Sequence, residues 1–263
     1  MKLSIITINY NNVKGLRTTI ESILSQSFYD KEWIVIDGGS TDGSKELILE
    51  YAKFFSYFCC EKDKGIWDAL NKGISKAKGT YLNFMNSGDT YADKNTLSSI
   101  FNHNLYGDII YGNTLNIYKD KELKITHPSE ITLSFLCNKT INHQSAFISN
   151  KLQKKFYYDS NYKYTSDRKF WIQAALDNAT FQYINLDIAK YDCNGISSKN
   201  LKIVQQEHQT IIKEIIPEII YKDIIQLNTY INIQCNYPIL NDVYNKIQRK
   251  GLHSILRFIL RFF

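Results

Sequence analysis

Nothing in the sequence supplies a metal-thiolate or disulfide framework. Its five cysteines are Cys59, Cys60, Cys137, Cys193 and Cys235, an odd number with no Cys-x-x-Cys spacing, so reduced thiols of a cytosolic protein are expected. A Gly-x-Gly-x-x-Gly run is missing, which excludes the dinucleotide fingerprint, and no Walker-type Gly-Lys-Ser/Thr occurs. Long apolar runs are absent as well. The run after Lys2 is cut off by Asn9, Asn11 and Asn12, too short for a signal-peptide core or a membrane span. The active part is therefore expected on the cytoplasmic side. Acidic residues stop at Asp242, whereas Lys246, Arg249, Lys250, Arg257 and Arg261 follow it. The net charge of +6 is thus largely a tail property, pointing to a local anionic partner and not to a nucleic-acid-binding body. There is no internal repeat and no low-complexity segment.

What is present reads as a folded α/β chain. A hydrophobic share of 44% with 22% charged residues excludes general disorder. Leu3 to Ile8, Trp33 to Ile36, Tyr57 to Cys60 and Tyr81 to Met85 read as strands. Helical spacing appears at Leu16, Ile20, Ile23 and Leu24, then at Leu47, Ile48 and Tyr51, and again from Trp67 to Ala77. This rhythm implies an open, mostly parallel twisted sheet with helices on both faces, in which ligands bind beyond the carboxyl ends of the strands. Asp108 to Tyr111, Leu115 to Tyr118 and Leu123 to Ile125 read as further strands, with Lys119-Asp120-Lys121 as a turn. The expected division is a catalytic domain over 1–200 and a helical extension over 201–263.

Three blocks can carry chemistry. Asp37-Gly38-Gly39-Ser40-Thr41-Asp42-Gly43 ends the second strand; its first carboxylate can bond a base or ribose, and its glycines admit a ligand close to the backbone. Read by itself, it is equally a strand-to-helix turn with Asp42 as a cap. Glu61 to Gly73 mixes acids and bases around a helix start, a pattern that on its own suits a solvated helix. Asn86-Ser87-Gly88-Asp89 ends the fourth strand. One carboxylate there suffices for a magnesium or manganese ion whose shell is completed by phosphates and water, and a tight turn explains the same residues.

Taken together in order, these blocks resemble glycosyltransferase family two with its GT-A fold, in the bacterial branch that builds capsular, exopolysaccharide and O-antigen chains. The resemblance rests on Ile5 to Asn11, Glu32 to Gly43, Glu61 to Gly73 and Asn86 to Asp89, with Asn142-His143-Gln144-Ser145 and Ser166 to Trp171 downstream. It implies that Thr7, Asn9 and Tyr10 line the nucleotide pocket and that Asp37 contacts base or ribose. Asp63 would border that pocket, with Asn71 and Lys72 nearby. Asp89 corresponds to the last aspartate of the Asp-x-Asp metal motif, the sole metal ligand assigned; Ser87 replaces the first. His143 either approaches the diphosphate or acceptor or is a packed histidine. Asp167 would be the general base. A carboxylate before an amphipathic helix is also a common N-cap, and only the resemblance selects the catalytic role. Gly195-Ile196-Ser197 resembles a block that closes the catalytic domain.

The resemblance implies an inverting transferase that moves a sugar from a nucleotide-sugar donor, a UDP-sugar by preference, to a hydroxyl of a glycan or lipid-linked glycan, with a divalent Mn or Mg ion. At the tail, Leu252, Ile255, Leu256, Ile259, Leu260 and Phe263 make an apolar helical face opposite Lys250, Ser254, Arg257 and Arg261. Residues 250–263 thus suit either the inner membrane leaflet or docking on the domain. Two other readings stand beside the transferase. A sugar nucleotidyltransferase needs a glycine-rich, arginine-containing loop where Asn9-Tyr10-Asn11-Asn12 stand. A non-catalytic carbohydrate-binding subunit is compatible with the lost first aspartate.

Overall fold

The computed structural model describes residues 1–119, 121–193 and 200–236. Strand β1 (Leu3–Asn9) is buried along its whole length, as a β-branched run flanked on both sides by parallel neighbours should be. It lies between β2 (Lys31–Asp37) and β4 (Tyr81–Phe84), both parallel to it, and β3 (Tyr57–Cys60) adds parallel to β2. Helices α1 (Val13–Leu24), α2 (Ser44–Glu50) and α3 (Ile66–Lys76) make the crossovers. Leu16, Ile20 and Ile23 of α1 are fully buried and share one core with Leu3, Ile5, Trp33 and Val35. Asp42 fixes two helix starts at once: it accepts from Val13 N at 2.8 Å, and from Ser44 N and Oγ at 3.1 and 2.6 Å.

Beyond β4 the sheet changes character. A short β5 (Thr90–Tyr91) and α4 (Thr96–Phe101) precede β6 (Ile109–Ile117) and β7 (Glu122–Ile125). Next come α5 (Leu133–Asn138), β8 (Ala146–Ser149), α6 (Asn150–Lys155), α7 (Ser166–Leu176) and β9 (Phe181–Asp192). The strand order is β3-β2-β1-β4-β8-β6-β9-β5, with β7 on β6. Pairings β4–β8, β6–β8, β6–β7 and β5–β9 are antiparallel, whereas β6–β9 is parallel. The sheet is mixed, parallel through its first four strands and largely antiparallel after them.

One expectation is corrected here. Asp108 to Tyr111 and Leu115 to Tyr118 are not two strands; β6 runs unbroken through Gly112-Asn113-Thr114. Those residues look like a turn, but the register against β9 shifts beside them. A Cβ on Gly112 would stand 2.7 Å from the Leu186 carbonyl oxygen, so the bare backbone admits the bulge.

Two helices close the described part, α8 (Leu201–Ile215) and α9 (Glu218–Asn236). The chain divides into one compact unit over Met1–Ile211 and another over Ile212–Phe263. Among the described residues no helix is long and apolar enough to cross a membrane. Asp120, the Gly195–Ser197 block and the amphipathic tail of 250–263 lie outside the described residues.

Candidate functional site

The register places the strand ends together. Asn9 is opposite Asp37, Asp37 is opposite Cys60, and Ser87 N donates to the Ile8 carbonyl at 3.0 Å. The loops after β1, β2, β3 and β4 therefore meet at one edge of the sheet. There Asp37, fully buried, takes four donors: Asn9 Nδ2 at 2.7 Å, Ser40 Oγ at 2.6 Å, Ser40 N at 2.8 Å and Gly39 N at 3.1 Å. Its carboxylate shapes the 38–40 loop from beneath. Beside that loop stand Tyr10, which is exposed, Asp63, which is half-buried, and Gly38, which is buried. A Cβ on Gly38 would fall 2.4 Å from Asp63 Oδ2 and 3.3 Å from the Tyr10 ring, so only glycine lets these two approach each other. Tyr10 is 63% exposed, and its ring beside the Asp63 carboxylate offers a planar face and a hydrogen-bond acceptor.

The second centre is the 86–89 turn. Thr19 Oγ1 of α1 donates to the Asp89 carbonyl at 2.7 Å and accepts from Gly88 N at 3.0 Å, and Gly88 takes φ +104°, a left-handed conformation suited to glycine. Asn12 Nδ2 reaches the Ser87 carbonyl at 3.1 Å and its hydroxyl at 3.4 Å, tying this turn to the first loop. Asp89 is only 4% exposed. It accepts from Gln144 Nε2 at 3.0 Å and from Asp192 N at 3.1 Å. Burial pushes its carboxyl up to about 7; the two hydrogen bonds oppose the rise and the Asp192 carboxylate adds to it. His143 shares a 3.2 Å contact with Asn86 Nδ2, and burial lowers its pKa to about 4, so the ring is neutral at pH 7.

Asp167 stands in the first turn of α7. The N-cap position is Thr165, whose side chain makes no cap hydrogen bond to the helix. Burial raises its pKa to about 6, against the opposing Arg168 charge and local backbone N–H groups. Its field reaches Tyr158, whose own phenol is pushed up chiefly by burial. Tyr158 packs on Trp67 with ring centroids 4.9 Å apart and on Phe84 at 5.5 Å, and Phe84 meets His143 at 5.8 Å. An aromatic seam therefore links the start of α7 to the 86–89 turn. Along the two centres and this seam, Asn9 Oδ1, Asn86 Oδ1, Trp67 Nε1 and Tyr158 Oη are enclosed without a hydrogen-bond partner. Such atoms cost about 1–3 kcal/mol each.

With the strand-end carboxylates Asp37 and Asp89 and the half-buried Asp167 placed, the model for Glycosyl transferase family 2 matches residues 4–177. The chain belongs to Glycosyl transferase family 2. An uncharacterised glycosyltransferase of Mycobacterium tuberculosis is 29% identical to it over 205 residues, covering 74% of this chain and 77% of that protein. Among solved structures, S. aureus TarS 1-349 in complex with UDP superimposes with TM-score 0.65 at 20% identity, covering 89% of this chain and 72% of that one. This family 2 chain spans 44% of the longer TarS chain. The mannosyltransferase PcManGT of Pyrobaculum calidifontis, in complex with GDP-Man and Mn2+, gives TM-score 0.56 at 14% identity, covering 72% of this chain and 56% of that one. These likenesses establish the GT-A fold.

Within this family 2 site, the structure sorts the residues expected from sequence. Asn9, Tyr10, Asp37 and Asp63 gather at the first centre, and Ser87, Asp89 and His143 at the second. Thr7 is fully buried and accepts from Trp33 Nε1 at 3.0 Å, in the core under the loops. Lys72 pairs with Glu61 at 3.0 Å and Asp68 at 3.5 Å on the surface of α3. Asn71 clamps a backbone: its Nδ2 donates to the Tyr158 carbonyl at 2.7 Å and its Oδ1 accepts from Tyr158 N at 3.0 Å. Asn71→Ala is therefore expected to cost about 2–3 kcal/mol and to lower the melting temperature by roughly 5–10 °C. An unchanged melt together with lost nucleotide affinity would make Asn71 a ligand contact and not a brace.

Sequence reasoning missed Asp192, Gln144 as a partner of Asp89, and the Trp67–Tyr158 pair. The donor set around Asp89 suits a hard divalent cation. Asp89 and Asp192 bring two carboxylates together at strand ends, and the elevated Asp89 pKa reflects burial beside like charge, which a cation relieves. Among the described residues no cluster of three His, Cys, Asp or Glu forms.

Proposed function

We propose that this chain transfers a sugar from a nucleoside-diphosphate sugar, a UDP-sugar by preference, to a hydroxyl of a glycan or lipid-linked glycan in surface polysaccharide synthesis, with inversion at the anomeric carbon. The observation that carries this reading is Asp167: a half-buried carboxylate in the first turn of α7, with its pKa raised by burial to about 6. At neutral pH it is ionised yet basic enough to accept a proton. In the reaction the acceptor oxygen loses its proton to Asp167 and bonds the anomeric carbon as the bond to the diphosphate oxygen breaks. Tyr10 and Asp63 hold the nucleoside over Gly38, and Asp37 fixes the loop beneath it. Asp89, with Asp192 beside it, would hold a manganese or magnesium ion, which supplies charge stabilisation for the departing nucleoside diphosphate. His143, neutral, orders Asn86 in the 86–89 turn. Contact of residues 250–263 with the inner leaflet belongs to the same proposal.

The test is thermal stability against UDP, GDP, dTDP and CMP, each with and without manganese. A ligand at 100 times its dissociation constant stabilises by about 2.7 kcal/mol, which raises the melting temperature by roughly 5–10 °C for a chain of this size. A manganese-dependent rise with one nucleotide is expected; no rise with any of them overturns the reading. Ser87 in place of the first metal-motif aspartate favours one alternative, a binding subunit that holds a nucleotide without turnover. Tight nucleotide binding with no transfer or donor hydrolysis would select it.

A further inference from the structure

An open surface depression of about 430 Å³ lies between the end of β7 and α5. Ligand pockets commonly fall between about 300 and 1,000 Å³, so it has room for a single ring. Its wall includes Ile125, His127, Pro128, Phe135, Lys139 and Thr140. The apolar members give one flat side of the kind that packs on the C–H face of a sugar. Tyr111 Oη donates to the Pro128 carbonyl at 2.7 Å, which fixes that side in place.

The polar members are unspent. His127 is 5% exposed, packed edge-on against Tyr111 and Phe135, and its Nε2 is enclosed without a partner. An imidazole nitrogen in that state costs folding free energy until something bonds it. Burial lowers the His127 pKa to about 4, so the ring is a neutral hydrogen-bonding group and not a counter-charge. Lys139 forms no ion pair among the described residues, and the Thr140 hydroxyl donates only to the neighbouring Ile141 carbonyl, at 3.3 Å, leaving its oxygen able to accept.

The depression is tied to the reaction centre by the chain itself. Thr140 is three residues from His143, and three extended residues span at most about 11 Å. Trp171, one turn after Asp167 on α7, donates to the Ile141 carbonyl at 3.0 Å, and α5 packs on α7. The strap carrying Lys139 and Thr140 is thus held by the helix that carries the base.

We infer that the depression is an acceptor subsite for one sugar ring bearing a carboxylate or a phosphate. Lys139 pairs with the anionic group, His127 and Thr140 bond ring hydroxyls, and Phe135 with Pro128 covers the apolar face. The inference rests on the transferase reading and names the class of acceptor.

Amide chemical shifts of the full chain, titrated with millimolar glucuronate, glucose 6-phosphate or glucose, test it. Residues 126, 127, 139 and 140 should shift with at least one of the anionic sugars, which identifies the anion, and about tenfold more weakly with glucose. Lys139→Ala, an exposed change, should weaken the anionic sugar about tenfold and leave the nucleotide-dependent melt unchanged. No shift at these amides with either anionic sugar, or equal binding by Lys139→Ala, overturns the subsite. Failure of the nucleotide melt in the unsubstituted chain instead counts against the transferase reading, so the two failures are distinct.

Discussion

Replacing Asp167 with Asn is expected to lower the rate of sugar transfer by about 10²–10⁴-fold, the usual contribution of a positioned general base. Nucleotide affinity should stay within about twofold, because the lost interaction acts on the acceptor proton. Unsubstituted chain should lose activity as pH falls through about 6, where Asp167 takes up its proton; this limb should vanish in the variant's residual activity. Stability runs the other way. Folding raises the Asp167 pKa from 3.8 to about 6, so between these values the folded state binds more protons and stability declines as pH rises. Asp167→Asn should therefore be the more stable protein above pH 6, by about 1–3 kcal/mol, with the difference gone below about pH 4. Denaturant midpoints at pH 4 and 8 beside the transfer rates check both halves. Transfer within threefold of the parent (about 0.7 kcal/mol) would remove Asp167 from the chemistry.

The second large effect is expected at Asp89. Asp89→Ala should abolish the manganese dependence of nucleotide binding and lower kcat/KM by about 10²–10³-fold, the scale for removing one electrostatic clamp on a departing charge. Calorimetric titration of UDP with and without manganese reads the first part directly. The alanine also strands Gln144 Nε2 and Asp192 N, its two donors, so a folding loss of about 1–3 kcal/mol accompanies it. Asp89→Asn separates the effects, since a neutral amide oxygen retains one of those bonds. Metal-dependent affinity in Asp89→Ala equal to that of the unsubstituted chain would place the ion elsewhere.

The first half of the fold was readable because its signals are local. Leu3 to Ile8 and Trp33 to Ile36 are short β-branched runs closed by Asn9 and Asp37, and each feeds a helix with its own cap. Strand-end logic then picked out Asp37 and Asp89 without any contact information. The second half depends on pairings distant in sequence. Strand β8 has four residues and no turn signal to announce it, and the bulge at Gly112 disguised one strand as two. Asp192 obeys the same strand-end rule as Asp89, but it becomes visible only once β9 is known to run beside β6. Thr7 was assigned to the pocket by resemblance, whereas alternation along β1 sets it on the same face as Leu3 and Ile5, under Trp33. Asn71 is polar on a helix for a reason that lies 87 positions away, at the Tyr158 backbone.

Glu207 on α8 receives Lys163 N at 2.6 Å, Tyr164 N at 2.9 Å and the Thr165 hydroxyl at 2.9 Å, the three residues that lead into α7. Glu207 and the segment leading into α7 are thereby tied together, although the family match ends at residue 177. A chimera that borrows α7 from a relative without its α8 would receive Asp167 on a helix whose leading residues have lost their acceptor. A gene trimmed at residue 200 would meet the same fate.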